Sequence, residues 1–183
     1  MFKIDLHVHT RYSPDAFTKP SEAISSAVKR GLDGIAITDH DTMRGAWEVA
    51  KTCPPDFTVL PGVEIDTSMG HVVALGVAEV PRRNLPPVAL MEEIHDLGGI
   101  VVLAHPFSLV NLFKRIGGLI KRVDALEVAN SRSYLYAVHA RKAWECARSY
   151  GLGVTAGSDS HIPDTIGDSY VVFNENPGSV EDL

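Results

Sequence analysis

Short apolar runs alternate with longer segments of mixed polarity along the chain. The runs are rich in aliphatic residues and are bounded by turn-forming residues, which is typical of buried β-strands. Between many of them, apolar residues recur three and four positions apart, as in amphipathic helices. The predicted strands are Phe2–His7, Gly34–Thr38, Thr58–Glu64, His71–Val77, Gly99–Ala104, Ala125–Ala129, Gly153–Ala156 and Tyr170–Phe173.

The helical spacing is clear at Val88, Met91 and Ile94. Gly31 and Gly98 stand where helices should end, and a predicted strand follows each of them. Strand–helix alternation of this kind predicts a mainly parallel sheet with helices outside it. The many units in only 183 residues favour a small or distorted barrel over an open sheet.

We interpret the whole chain, residues 1–183, as a single domain. Its last segment, Pro177–Leu183, has the pattern of a helix start with Ser179 as the cap, and there the chain stops. Residues 174–183 are therefore expected to be a frayed end or the remnant of a lost helix.

Composition narrows the class of protein. With 45% hydrophobic and 22% charged residues, the chain is typical of a globular domain and not of a disordered one. No apolar run approaches the roughly 20 residues of a membrane span, and no leader is visible, so we expect a cytoplasmic protein. Cys53 and Cys146 are interpreted as reduced thiols.

The net charge of −6 argues against a protein that binds duplex nucleic acid stably. The basic residues Lys114, Arg115, Lys121 and Arg122 are interpreted as a solvated helix face.

Histidines gather at the ends of the predicted strands. The carboxyl ends of barrel strands open at one face, so side chains placed there are expected to converge. The other two of the eight histidines, His95 and His139, fall in helical segments and are predicted to lie on helix surfaces without a functional role. The six strand-end histidines are His7, His9, His40, His71, His105 and His161.

Carboxylates accompany these histidines. Glu64 lies in an otherwise apolar strand, where a buried charge needs a partner or a metal. Asp159 stands two residues before His161, and Asp15 lies in the loop after the first strand. Imidazole with carboxylate suits zinc, manganese or iron, and the absence of cysteine argues against a structural thiolate zinc site.

Five motifs, taken together and in order, resemble those of the PHP (polymerase and histidinol phosphatase) superfamily over residues 2–173. They are Asp5-Leu6-His7-Val8-His9-Thr10, Ile37-Thr38-Asp39-His40-Asp41-Thr42, Pro61-Gly62-Val63-Glu64, Ala104-His105-Pro106 and Ser158-Asp159-Ser160-His161. The resemblance implies a distorted, TIM-like (β/α)7 barrel that binds two to three divalent metal ions at the carboxyl ends of its strands. Their identity, Mn, Zn or Fe, stays open.

The resemblance also implies a ligand set. One ion is expected on His7, His9, Glu64 and Asp159; a second shares Glu64 and adds His71 and His105; a third takes Asp15, His40 and His161. Many relatives carry His at position 15, and Asp there resembles the branch of nucleotide and oligonucleotide phosphatases.

The implied activity is hydrolysis of a phosphomonoester by a metal-bridging hydroxide. The substrate is a nucleotide, an oligonucleotide end or a small phosphorylated metabolite. Arg132, Asn130 and Arg11 are candidate substrate-binding residues, since an arginine can hold a phosphate with two hydrogen bonds. Asp159 and His161 are the candidates for passing a proton to the leaving oxygen.

Three alternatives remain from the sequence. A non-catalytic metal-binding PHP module would keep the ligands without turnover. An amidohydrolase usually needs a lysine in mid-barrel, and after Lys3 no lysine lies near a predicted strand end. Histidinol phosphatases of the superfamily are usually longer chains.

Overall fold

A computed structural model describes residues 1–68, 70–108, 118–177 and 179. These residues form eight strands and four α-helices, with short 3-10 helices at Ile120–Arg122 and Pro163–Thr165. The strands are β1 Phe2–Val8, β2 Gly34–Ile37, β3 Thr58–Thr67, β4 Gly70–Leu75, β5 Ile100–Leu103, β6 Ala125–Asn130, β7 Gly153–Gly157 and β8 Val171–Phe173. The α-helices are α1 Pro20–Lys29, α2 Arg44–Ala50, α3 Pro87–Asp96 and α4 Tyr136–Tyr150.

All eight predicted strands are present, with boundaries shifted by at most a few residues. They form one sheet in the order β7-β6-β5-β4-β3-β2-β1-β8. The pairs β1–β2, β2–β3, β5–β6 and β6–β7 are parallel, whereas β3–β4, β4–β5 and β1–β8 are antiparallel. The sheet is thus less parallel than predicted, because too few residues separate β3 from β4 for a crossover helix.

The sheet curls into a nearly closed barrel, and β1 meets β7 at its seam. Backbone hydrogen bonds from Asp159 N to His7 O (2.8 Å) and from His9 N to Ser160 O (2.9 Å) join the two edges. Across the seam, the fully buried carboxylate of Asp5 in β1 accepts a hydrogen bond from Ser158 N, directly after β7, at 2.8 Å. Burial raises the pKa of this carboxylate to about 6. The distorted barrel inferred from the sequence is confirmed.

Two hydrophobic clusters stabilise this barrel. One consists of strand residues, including Leu6, Leu60 and Val102, together with Ala104 directly after β5, as expected for a barrel interior. The larger one joins strand residues such as Ile35 to helix residues such as Met91, which seals the helices onto the outside of the sheet. Gly31 (φ 71°) and Gly98 (φ 77°) follow α1 and α3 in the left-handed conformation predicted for them.

The two helical histidines differ. His95 lies on the surface of α3, with Nε2 2.8 Å from the Asp124 carboxylate, as predicted. The surface prediction for His139 is wrong: only 9% of this residue is exposed, because it faces the sheet on the same helical stripe as Ala143 and Ala147.

Other predictions fall wholly or partly outside the described residues. Lys114 and Arg115 belong to such a segment, as does most of the predicted helix start at 177–183. Lys121 and Arg122 do lie at the surface, and Arg122 pairs with Glu92 at 3.0 Å. Within the described part of the chain, no helix combines the length and apolar character needed to cross a membrane.

Candidate metal centre

The six strand-end histidines converge at one end of the barrel. Each arrives from its own place in the sheet: β1 and its end, the ends of β2 and β5, the start of β4 and the loop after β7. Seven pairs of their rings have centroids 4.3 to 6.2 Å apart. Such crowding follows from the barrel, because its strands open at a common face.

Glu64 and Asp159 lie at the centre of this cluster. The Glu64 Oε2 atom is 3.2 Å from His7 Nε2 and 3.1 Å from His9 Nε2. The Asp159 Oδ1 atom faces the same two nitrogens at 3.7 and 3.4 Å. His7, His9 and Asp159 bring ligand atoms within 4.8 Å of one another, a spacing that could hold a metal ion.

The second group lies on the other side of Glu64. Its Oε1 atom is 2.9 Å from His71 Nδ1 and 3.4 Å from His105 Nε2. These three residues also bring ligand atoms within 4.8 Å of one another. Glu64 therefore reaches two candidate sites with its two oxygens, as expected for a carboxylate shared between ions.

The third group contains His9, His40 and His161. Asp15, expected here from the sequence, reaches it as well: its oxygens lie 3.0 Å from His161 Nε2 and 3.9 Å from His40 Nε2. The structure thus brings all nine expected ligand residues to one place, with His9 between the first and third groups.

The donors of this centre are suited to cations. Burial by itself would lower the pKa of His9, but hydrogen bonding to Asp159 and Glu64 outweighs burial and raises it to about 9. Burial would likewise raise the pKa of Glu64, but neighbouring His7 and hydrogen bonds from histidines hold it well below its usual range. Protons on buried imidazoles here compensate carboxylates, a role that bound cations take over when ligands deprotonate.

Two ring nitrogens of the histidines also indicate that this centre suits metal ions. His40 Nδ1 is buried and has no hydrogen-bond partner among the described residues. His161 Nδ1 faces the Asp159 carbonyl at 2.9 Å and so carries a proton, which leaves Nε2 as a lone-pair donor. Burial and the nearby His9 lower the pKa of His161, which favours this neutral, metal-binding form.

A cleft of about 420 Å³ opens over the cluster. Arg132 and Asn130, predicted to bind substrate, both line it, together with Tyr134. Arg132 Nη1 lies 3.0 Å from His161 Nε2 and 3.8 Å from Asp159 Oδ1. Arg11 does not line this cleft; its exposed guanidinium lies 5.8 Å from the Tyr12 ring.

Sequence reasoning missed the carboxylate that supports the centre from behind. Glu127 is 3% exposed, and its Oε1 lies 2.9 Å from His7 Nδ1. Its Oε2 accepts from the backbone N of His105 (2.7 Å) and from Asn130 Nδ2 (2.9 Å). The available signal was an acid inside the apolar run Ala125–Ala129, the same signal that identified Glu64.

A second support was also missed. His9 Nδ1 lies 2.9 Å from Ser13 Oγ, which donates to Asp39 Oδ1 at 2.9 Å. Asp39 is fully buried and also accepts from the hydroxyl of Thr10 (2.7 Å). Outer partners of this kind fix the orientation of ligand histidines.

The nearly closed α/β barrel thus carries histidines and carboxylates at one rim, in groups that could hold metal ions. The profile of the PHP domain family matches residues 5–176, and the chain belongs to this family. An uncharacterized protein of Methanocaldococcus jannaschii is 34% identical over 143 residues, which cover 70% of this chain and 82% of that protein.

Two further similarities concern proteins of stated activity or class. A 3′,5′-nucleoside bisphosphate phosphatase of Chromobacterium violaceum is 40% identical over 82 residues, covering 42% of this chain and 28% of the phosphatase. A two-domain protein of Bacteroides vulgatus containing a predicted PHP-like metal-dependent phosphoesterase superposes with a TM-score of 0.74 at 20% identity. That match covers 88% of this chain and 52% of the other, and it supports the fold alone.

Proposed function

We propose that this protein hydrolyses phosphomonoesters with the help of divalent metal ions. The observation that carries the proposal is the sharing of Glu64 and Asp159 among three groups of histidines at the floor of an open cleft. Arg132 stands on the wall of the same cleft, 3.8 Å from Asp159. A cationic floor beside an arginine attracts a phosphate dianion.

The proposed ligand sets follow the contacts around the two central carboxylates. His7, His9, Glu64 and Asp159 would hold one ion; Glu64, His71 and His105 a second; Asp15, His40 and His161 a third. Imidazole and carboxylate donors suit manganese, zinc or iron. Such ions lower the pKa of bound water towards neutrality and offset phosphate charge.

The chain's own residues would orient the ester and control its protons. Arg132 is half-exposed and can donate two hydrogen bonds to phosphate oxygens while the charge on them grows. Asn130 donates one amide hydrogen to Asp159 (3.2 Å) and so keeps that carboxylate facing the cleft. Asp159 and His161 are the residues proposed to relay a proton to the leaving oxygen.

The substrate class is a nucleotide, an oligonucleotide end or a small phosphorylated metabolite. The cleft volume lies within the range of small-molecule sites. Similarity to the nucleoside bisphosphate phosphatase supports nucleotides among these classes.

The test is phosphate release with added Mn²⁺ and again in excess chelator. The substrates are an aryl phosphate, AMP, a 3′,5′-bisphosphonucleoside, histidinol phosphate and a short 5′-phosphorylated oligonucleotide. Chelator-sensitive release from any of them supports the proposal, and the ranking of rates identifies the substrate class. Tight metal binding with no release from any substrate would overturn it in favour of a non-catalytic metal-binding module.

Asp159→Ala should abolish turnover, because it removes a carboxylate that lies within 4 Å of histidines in all three groups. Asp56→Asn, which removes one charge in an exposed turn, is the matched control and should keep wild-type rates. Retention of more than a tenth of the wild-type rate by Asp159→Ala would contradict the role given to Asp159.

A further inference from the structure

A further carboxylate, that of Asp66, approaches the centre from β3. Asp66 follows Glu64 by two residues, so the two carboxylates lie on the same face of the strand. In the antiparallel pairing of β3 with β4, Asp66 stands directly opposite His71. Strand geometry therefore fixes Asp66 beside the metal centre.

One oxygen of Asp66 faces two ligand histidines from different groups. Its Oδ1 lies 3.4 Å from His40 Nδ1 and 3.5 Å from His71 Nε2. His40 Nδ1 is the buried nitrogen that has no hydrogen-bond partner among the described residues. His40 Nδ1 also lies 3.5 Å from Glu64 Oε2. The other nitrogens of the two rings face expected ligands: His40 Nε2 lies 3.9 Å from Asp15 Oδ1, and His71 Nδ1 lies 2.9 Å from Glu64 Oε1.

We propose that Asp66 is a positioning residue that links the second and third metal sites through His71 and His40. The proposal rests on the ligand sets given above and not on phosphatase activity. A histidine that binds metal through one nitrogen usually donates its other N–H to a carboxylate or carbonyl. We expect Asp66 to accept the outward N–H groups of both rings once their other nitrogens bind metal, which selects the tautomer in which Nδ1 of His71 and Nε2 of His40 face the ions.

Asp66 also adds negative charge beside the second and third metal sites. Its side chain is 62% exposed, whereas that of Glu64 is 1% exposed, so Asp66 has little part in packing. Removing its charge should therefore leave the metal-free fold intact. Among the ion pairs of the described residues, none joins Asp66 to the first group, His7, His9 and Asp159.

Asp66→Asn tests the proposal with metal content as the readout. Metal-free protein is dialysed against buffers of stepwise free Mn²⁺, and bound manganese is measured by elemental analysis. We assign the more weakly bound manganese ions to the second and third sites, and we expect their affinity to fall about 10- to 100-fold. The tightest equivalent and the melting temperature of the metal-free protein should stay unchanged. Asp56→Asn controls for the loss of one surface charge.

A combined variant shows whether Asp66 acts through the histidines. In a His40→Ala, His71→Ala background, Asp66→Asn should have no further effect on manganese binding. Affinities of Asp66→Asn within twofold of wild type, or equal weakening of every equivalent, would overturn the proposal. A wild-type protein that binds no manganese would instead overturn the proposed function itself.

Discussion

Glu127 illustrates what single residues contribute to this centre. Its carboxylate receives hydrogen bonds from the ring of His7, the backbone N–H of His105 and the side-chain amide of Asn130. Since an ionised carboxylate only accepts, His7 Nδ1 must carry the proton, and Nε2 then faces Glu64.

Glu127→Gln should therefore lower the affinity for the first metal ion by about 10- to 100-fold, because the glutamine amide presents N–H to groups that themselves donate. It should also destabilise the metal-free protein by about 1–3 kcal/mol. Manganese titration and thermal melting measure the two effects. Glu145→Gln on the exposed face of α4 is the control, and equal behaviour of both variants would contradict the role of Glu127.

Residue by residue, the sequence was informative where a side chain's role follows from its place on a strand. The histidines and Glu64 could be found because polar residues interrupt or end apolar runs. Glu127 interrupts an apolar run as Glu64 does and was missed all the same. Asp66 could not be placed, because its partners come from other elements and depend on register. His139 was misplaced although its spacing to Ala143 and Ala147 contained the correct answer.

At the scale of elements, the approach of β7 to β1 depends on Gly157. A Cβ at this position would lie 2.3 Å from the Cβ of His7 and 2.8 Å from its backbone nitrogen. Because the obstacle includes backbone, β1 and β7 would have to separate, and His7 would move with β1.

Gly157→Ala should thus destabilise the protein by about 1–3 kcal/mol and weaken metal binding together. Gly118→Ala, whose Cβ would meet no described residue within 4 Å, is the control and should be neutral. Urea unfolding and manganese titration give the two quantities. Normal stability of Gly157→Ala would show that the seam can widen without strain.

The positions of the strands and helices could be predicted, but the parallel or antiparallel pairing of some strands could not. Strand positions follow from hydrophobic runs, and both helix-ending glycines behaved as expected. The antiparallel β3–β4 hairpin required attention to the length of the connection rather than to its composition. Pairing of β8 with β1 joins opposite ends of the chain, which no local pattern reports.

For the molecule as a whole, the buried histidines make stability depend on pH and metal. The pKa of His9 is raised from 6.5 to about 9 in the metal-free fold, and that of His7 is raised also. The folded state then binds more protons than the unfolded chain, so the stabilisation is complete below pH 6.5 and disappears as pH rises through 9.

The melting temperature of metal-free protein should therefore fall from pH 6.5 to pH 9. Ions bind deprotonated imidazole, so the stabilisation by Mn²⁺ should grow over the same interval. Melting curves in chelator and in Mn²⁺ measure both trends. His9→Gln should flatten the metal-free slope, whereas His95→Gln on the surface of α3 should preserve it; identical slopes would refute this assignment.

The pairing of Phe2 with Phe173 has a consequence for the architecture of larger proteins. β1 enters and β8 leaves the barrel side by side, at the end opposite the histidines. A barrel with this topology can be inserted into another polypeptide so that both connections lie on the same side of the barrel. Segments joined to β1 and β8 at these ends would lie on the side of the barrel away from the cleft.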